Sequence, residues 1–359
     1  MSSSVEAECC IICLDSDPPP IQSGCACRSD SGLAHLDCLI EKAVSQQAHR
    51  GYNVWWQCQT CGQDFTGAMR TGLGEAWWSR VCDQAEESSE RLCAAHNLGS
   101  CRFHDGENAK AERIQREVLG VYRRLVGEEH PDTLLCAGNL AMSLSHQRKY
   151  ADAEQIDREV LGARRRVLGE EHPHTLASAN NLAQALKYQG KHTDAERIQR
   201  EVLGVRRRVL EEEHPDTLLC ASNLALSLFH QRKYADAERI DREVLGVRRR
   251  VLGEEHPDTL TSANNLAQAL TYQGKHTAAE RIQREVLGVR RRVLGEEHPE
   301  TLRITSHLVS SLFHQGKYAE AEEMLQATQE AFRRVLGIDH PYTLCCTTPR
   351  HRAVGYFAR

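Results

Sequence analysis

A His-Pro pair recurs at His130, His172, His214, His256, His298 and His340, always 42 residues apart. A fixed period of that length without an insertion marks a repeat architecture, in which each repeat buries its apolar face only against its neighbours. In the repeat that starts at His214, Pro215 confines His214 to extended backbone, and Asp216 or Thr217 is placed to cap the following helix. Leu218, Leu224, Ala225 and Leu228 mark the buried face of a first helix ending near Lys233. Ala237, Ile240, Val244, Leu245 and Val251 mark a second, which Gly253 stops. The predicted fold class is therefore mainly α, an α-solenoid of 42-residue helix-turn-helix repeats.

Charge decides which partners to expect. Arg triplets at Arg164–Arg166, Arg206–Arg208, Arg248–Arg250 and Arg290–Arg292 look like a basic ladder. In the His214 repeat, however, Arg232, Lys233, Arg239, Arg242 and the triplet are matched by Asp216, Asp236, Glu238, Asp241, Glu243, Glu254 and Glu255. Balanced faces of this kind form ion pairs between repeats, and the net charge of −5 gives no reason to expect nucleic acid. No apolar run approaches the ~18–20 residues of a membrane span, and MSSSVEAECC has no basic or apolar leader. The expectation is a soluble protein of the cytoplasm, with a nuclear location left open and no membrane partner.

The N-terminal part has a different pattern, with Cys10-x2-Cys13, Cys25-x-Cys27, His35-x2-Cys38 and Cys58-x2-Cys61. Pairs one or two residues apart place two ligands on one tetrahedral Zn²⁺, so four pairs predict two ions and reduced thiols rather than disulfides. The order C-C-C-C-H-C-C-C over residues 9–62 resembles the RING-CH finger of ubiquitin ligases. The resemblance implies a cross-brace, with Cys10, Cys13, His35 and Cys38 on one ion and Cys25, Cys27, Cys58 and Cys61 on the other. It also implies that Ile12, just before the second ligand, helps dock a ubiquitin-conjugating enzyme. Lys42 and Gly62 depart from the family, which often has Trp and a basic residue at those places. Trp55 or Trp56 supplies either docking surface or core. The PHD histone reader shares the ligand order, and Trp56 two residues before Cys58 is a PHD-like feature.

Between finger and repeats, residues 63–87 place Ala76, Trp77, Val81 and Ala85 at helical spacing, which predicts a connecting helix packed as the leading element of the stack. A degenerate repeat follows at 88–129. Its Cys93, His96, Cys101 and His104 imitate a zinc motif, but at ~1.5 Å per residue the first and last lie about 16 Å apart along one helix. Residues 1–8 are expected to be disordered, and 349–359 form a tail in which Pro349 interrupts the helix begun by the sixth His-Pro pair at His340.

The NLA, QGKY-like, AE and VLGEEHPDTL signatures over residues 88–348 resemble the tetratricopeptide repeats of kinesin light chains. That resemblance implies a superhelix whose first helices line a groove for protein or peptide ligands, with Asn139, Asn181, Asn223 and Asn265 facing it. His307 interrupts the Asn series. Asp157, Gln199, Asp241 and Gln283 stand where the family usually has an aromatic residue. The repeats also alternate: those at His130 and His214 are near-copies, as are those at His172 and His256. Lys187 against Thr271 is among the few differences on the predicted groove face.

Two functions follow from these resemblances. One is a RING-CH-type ubiquitin ligase or ligase-like adaptor, the finger binding the conjugating enzyme and the groove binding the substrate. The alternative is a non-enzymatic repeat scaffold with a structural or PHD-like finger. No phosphate loop, serine elbow or paired-carboxylate site accompanies them, so no catalytic residue is assigned.

Overall fold

The computed structural model describes residues 9–22, 32–338 and Thr343. The chain divides into two compact units, residues 1–185 and 186–359.

In the first unit a two-stranded antiparallel ribbon pairs β1 (Ile21–Gln22) with β2 (Leu33–Ala34), in the register Ile21 to Ala34. Helix α1 (Leu36–Arg50) and a 3-10 turn (Tyr52–Trp55) complete the described finger. The connector forms α2 (Gly67–Val81), which packs on α1 and on α3 (Ser89–His104) as the leading helix of the stack. One apolar core runs from Cys10, Leu39, Val54 and Trp55 through Phe65, Met69, Leu73 and Trp77 to Ala94. The boundaries expected near residues 62 and 87 therefore do not interrupt the packing. Trp55 is 1% exposed and lies parallel to Trp77, ring centroids 5.7 Å apart, and its Nε1 donates to Gln47 Oε1 at 2.6 Å. It is core, not docking surface. Glu90 at the start of α3 accepts from Gln47, Gln84 and Trp77, which ties finger, connector and first repeat together.

Antiparallel helix pairs follow: α3 with α4 (Asn108–Val126), then α5 (Pro131–His146) with α6 (Tyr150–Leu168). Helix α7 (Pro173–Tyr188) leads to the second unit, which holds α8 (His192–Leu210), α9 (Pro215–His230), α10 (Tyr234–Leu252), α11 (Pro257–Tyr272), α12 (His276–Leu294), α13 (Pro299–His314) and α14 (Tyr318–Leu336). From α8 to α14 each helix packs on the next, and α11 also touches α9 and α13.

The His-Pro pair starts each first helix by a route the sequence reading missed. His214, not Asp216 or Thr217, is the N-cap, and its Nδ1 accepts the Asp216 amide at 3.1 Å while Pro215 occupies the first helical position. His130, His172, His256 and His298 repeat the arrangement at 3.2–3.3 Å. The predicted core face holds from Leu218 to Leu245. Val251 does not share it: it is 48% exposed, in a last turn of α10, 249–252, whose four residues are all exposed.

The QGKY-like turn also has a structural task. Gln231 and Lys233 reach back to Glu196, with Lys233 Nζ at 2.8 Å, and Arg200 closes the same carboxylate from within α8. Glu238 with Gln273 and Lys275, and Glu280 with Gln315 and Lys317, repeat the cluster. Burial opposes the charge on these carboxylates, but the Lys and Gln donors outweigh it and hold all three at about 2.

The Arg triplets divide their labour. The first member turns inward: Arg206 donates to Asp216 O at 2.7 Å, and Arg248 to Ser262 Oγ at 2.7 Å. The second pairs with the Glu just past its own helix, as Arg249 does with Glu254 at 2.9 Å. The third reaches the preceding turn, as in Arg250 to Glu213 at 2.5 Å. These arginines form ion pairs and backbone clamps between repeats rather than a free basic ladder. Among the described residues no helix is long and apolar enough to cross a membrane.

Candidate functional site

Cys10 and Cys13 come from the loop before β1, and His35 and Cys38 from the entry to α1. Residues 25 positions apart in sequence thus meet, and their ligand atoms all lie within 4.8 Å of one another. Cys13 Sγ is 3.3 Å and Cys38 Sγ 3.8 Å from His35 Nδ1, so Nδ1 is the nitrogen that faces the thiols. Ligands bound at ~2.3 Å in a tetrahedron stand about 3.8 Å apart, so the cluster has the dimensions and the S₃N donor set of a structural zinc site.

The electrostatics favour a cation in its centre. Burial raises the Cys10 thiol, but the backbone amides of Cys13, His35 and Ile12 outweigh it and bring the group down to about 6. The Ile12 and His35 amides each donate to Cys10 Sγ at 3.4 Å. Burial pushes Cys38 up to about 12, and Cys13 and Cys10 beside it push the same way. Three thiolates could not crowd this closely without a positive charge among them, which a divalent ion would supply. Cys10, Cys13, His35 and Cys38 would hold that ion, and the chemistry it supplies is structural cross-linking. His35 Nε2 is buried with no hydrogen-bond partner among the described residues.

The second predicted site is only partly in view. Cys58 and Cys61 lie on one turn, where the Gly62 amide donates to Cys58 O and the Cys58 amide to Gln63 O, whereas Cys25 and Cys27 lie outside the described residues. Ile12 is 37% exposed beside Ile11 and Leu14. Lys42 and Ile11 line a shallow cleft with Leu39, Val54 and Thr60. Cys93, His96, Cys101 and His104 form no ligand cluster: Cys101 is fully buried and its thiol points to Arg70 O.

Asn139, Asn181, Asn223 and Asn265 are all half-buried at equivalent points of α5, α7, α9 and α11. Asn139 Nδ2 is 3.2 Å from His96 Nε2, so that Asn is held by its neighbour repeat. His307, where the series breaks, bonds Asn264 Oδ1 through Nδ1 at 2.9 Å. A polar row behind this face was visible in sequence only as a departure from a family pattern. Gln115, Asp157, Gln199, Asp241 and Gln283 are each at most 4% exposed, and oxygens of Gln115, Gln199 and Gln283 have no hydrogen-bond partner among the described residues.

A tetratricopeptide repeat model matches residues 90–166, 216–292 and 300–348, which together make up more than half of the chain, and a second such model matches 175–216. The chain belongs to the tetratricopeptide repeat family. Its fold is that of a regular helical solenoid of such repeats carrying a small N-terminal Cys/His cluster. Among solved structures it is similar to a Podosopora anserina protein with nearly identical TPR-like repeats, assigned as a kinesin light chain. Identity there is 24%, with 57% of this chain and 96% of that one covered and a TM-score of 0.53. BtubC (BKLC) from P. vanneervenii matches at 18% identity over 72% of this chain and 95% of that one, TM-score 0.51. Apo RapI matches at 12% identity over 84% and 98%, TM-score 0.53. These likenesses are of fold. No curated protein matches the chain.

Proposed function

We propose that this tetratricopeptide repeat protein is a RING-CH-type ubiquitin ligase or ligase-like adaptor, in which the repeats hold a protein substrate and the finger recruits a charged ubiquitin-conjugating enzyme. The observation that carries the reading is the pairing of Cys10 and Cys13 with His35 and Cys38, the first and third ligand pairs, as a cross-brace requires. The exposed Ile11, Ile12 and Leu14 beside that site supply an apolar docking patch. Zinc at Cys10, Cys13, His35 and Cys38, and a second ion at Cys25, Cys27, Cys58 and Cys61, would hold the patch in shape. The finger's role is positional, because such ligases bring the thioester and the acceptor lysine together without a covalent step of their own.

The common core of finger and first repeat supports a fixed rather than tethered arrangement, so that a partner bound to the first repeats lies at a set distance from the docking patch. The protein-binding role of the repeats is shared with the alternative, a scaffold without transfer activity. An autoubiquitination assay of the full chain with a panel of conjugating enzymes separates the two. Transfer is expected, abolished by Cys10→Ser and reduced at least tenfold by Ile12→Ala. No transfer, or transfer indifferent to both substitutions, leaves the scaffold.

A further inference from the structure

The arginine that opens each triplet has no counterpart in the first repeat, and the gap it leaves is a site. Arg164, Arg206, Arg248 and Arg290 stand 42 residues apart, and each donates to the residue ten positions on, in the first turn of the next helix. The acceptor is the main-chain carbonyl of His174, Asp216 or Asp258, and in the last copy it is the Glu300 carboxylate, 2.6 Å from Arg290 Nη1. Arg206, Arg248 and Arg290 are at most 7% exposed, so a guanidinium is built into this place of the repeat.

One period before Arg164 stands Tyr122, and ten positions on from it Asp132. Tyr122 is hydrogen-bonded to Cys93 of α3 instead of reaching α5 as an arginine would. The Asp132 side chain is 56% exposed, and among the described residues no Lys or Arg pairs with it. His130 Nδ1, 3.7 Å from its carboxylate, accepts the Asp132 amide and so turns no proton towards it. Asp132 is thus a carboxylate at the built-in arginine place without its arginine.

Beside Tyr122 and Asp132 lies a cavity of ≈ 460 Å³, walled from the other side by Trp56, Asp64 and Arg70. Its charges favour a cation. Asp64 and Asp132 carry two negative charges against one positive on Arg70, and burial pushes His96 and His104 below the ordinary imidazole value, so both are neutral at pH 7. The signs are also held apart. Asp132 acts on Cys93 and His96, whereas Arg70 acts on Cys101 and His104. At ~1.5 Å per residue Cys93 and Cys101 are about 12 Å apart along α3, which leaves the Asp132 end clear of the Arg70 charge.

We propose that this cavity receives the guanidinium of an arginine side chain on a bound protein or peptide, paired with the Asp132 carboxylate where later repeats supply an arginine of their own. Arg290 and Glu300, at the positions equivalent to Tyr122 and Asp132, form that ion pair within the chain. The planar fork of a guanidinium meets a carboxylate through two parallel N–H donors, and the Trp56 and Tyr122 rings offer aromatic surface to its stem. The volume exceeds that of one arginine head, so neighbouring main chain of the ligand enters with it.

The inference rests on the protein-binding role proposed above and names a feature of the partner. Its test uses a probe that requires neither a partner nor ubiquitin transfer, so the result stands apart from that of the autoubiquitination assay. Nα-acetyl-arginine amide is titrated into the full chain and followed by saturation-transfer NMR, beside the citrulline amide, which has the same shape without the charge. Arginine amide is expected to saturate one site and citrulline amide to bind at least tenfold more weakly. Tyr122→Arg, which copies the later repeats, is expected to abolish the binding, and Asp132→Asn to weaken it at least tenfold, both with the thermal midpoint kept. Equal binding of the two amides, absence of saturable binding, or full affinity in Tyr122→Arg overturns the proposal. If Tyr122→Arg does not fold, Asp132→Asn decides, since full arginine affinity in that variant overturns it equally.

Discussion

Finger and repeats solve the same problem, too little core per segment, by opposite means. The N-terminal part gathers four side chains that could hold a metal ion from two stretches of chain, and the distances between Cys10, Cys13, His35 and Cys38 follow no period. The repeats make each contact again one period later: Lys233 to Glu196 becomes Lys275 to Glu238 and Lys317 to Glu280, at 2.7–2.8 Å each time. Damage to a site like the first is all-or-none. Damage to the second is local and graded, because stability adds up repeat by repeat.

The largest effect expected from that contrast is metal removal. Structural zinc contributes on the order of 10–16 kcal/mol to a small fold. Chelation should abolish the near-ultraviolet circular dichroism of the stacked Trp55 and Trp77 while most far-ultraviolet helical signal stays. Metal analysis before chelation should return about two zinc ions per chain. Near-ultraviolet spectra indifferent to complete metal removal would mean that apolar packing alone holds the finger.

A middle-sized effect belongs to Asp157 and Asp241, which stand where alternate repeats have Gln. Burial pushes both carboxyls up to about 7, against the pull of Arg164 and Arg248 respectively. In the unfolded chain they ionise near 3.8, so the folded state binds the extra protons between those values. Stability contributed at these sites is therefore present at pH 4, declines toward pH 7 and is flat above. Asp157→Gln and Asp241→Gln should each add about 2 kcal/mol at pH 8 and nothing near pH 4, read from urea melts at both pH values. A gain that is equal at the two would point to packing rather than ionisation.

The smallest effect tests the regularity of the repeats directly. Gly253, Gly295 and Gly337 end second helices at φ near 85–90°, and Glu211 occupies the same place at φ 69°. A side chain is strained there, and the space around Gly253 and Gly295 is open, so the cost lies in the backbone and not in a clash. Glu211→Gly should stabilise by about 1 kcal/mol and raise the thermal midpoint. A lowered midpoint would show that Glu211 makes compensating contacts.

Most of the repeat fold was legible in the sequence because a period multiplies each weak signal. Leu218, Leu224 and Leu228 were recognisable as core, and Gly253 as a helix stop. The cap was not, since His is an unusual N-cap and only the placement of Nδ1 against the Asp216 amide identifies it. Val251 was misplaced because periodicity says which face a residue shares but not that the whole last turn, 249–252, is exposed. In the finger, ligand spacing named Cys10, Cys13, His35 and Cys38, while the choice of which pairs meet is a matter of chain path.

The sequence by itself determined the architecture, since a 42-residue period of apolar positions and helix stops admits one kind of stack. It also named the residues of the N-terminal Cys/His cluster, because their spacing is one that could hold a metal ion. Only the tertiary structure decided that Trp55 belongs to a core continuous with the first repeat, that the first Arg of a triplet turns inward, and that Lys187 is buried against the Tyr188 ring. Each of these depends on what a neighbouring helix leaves uncovered, and that is fixed by packing across tens of residues rather than by any local pattern.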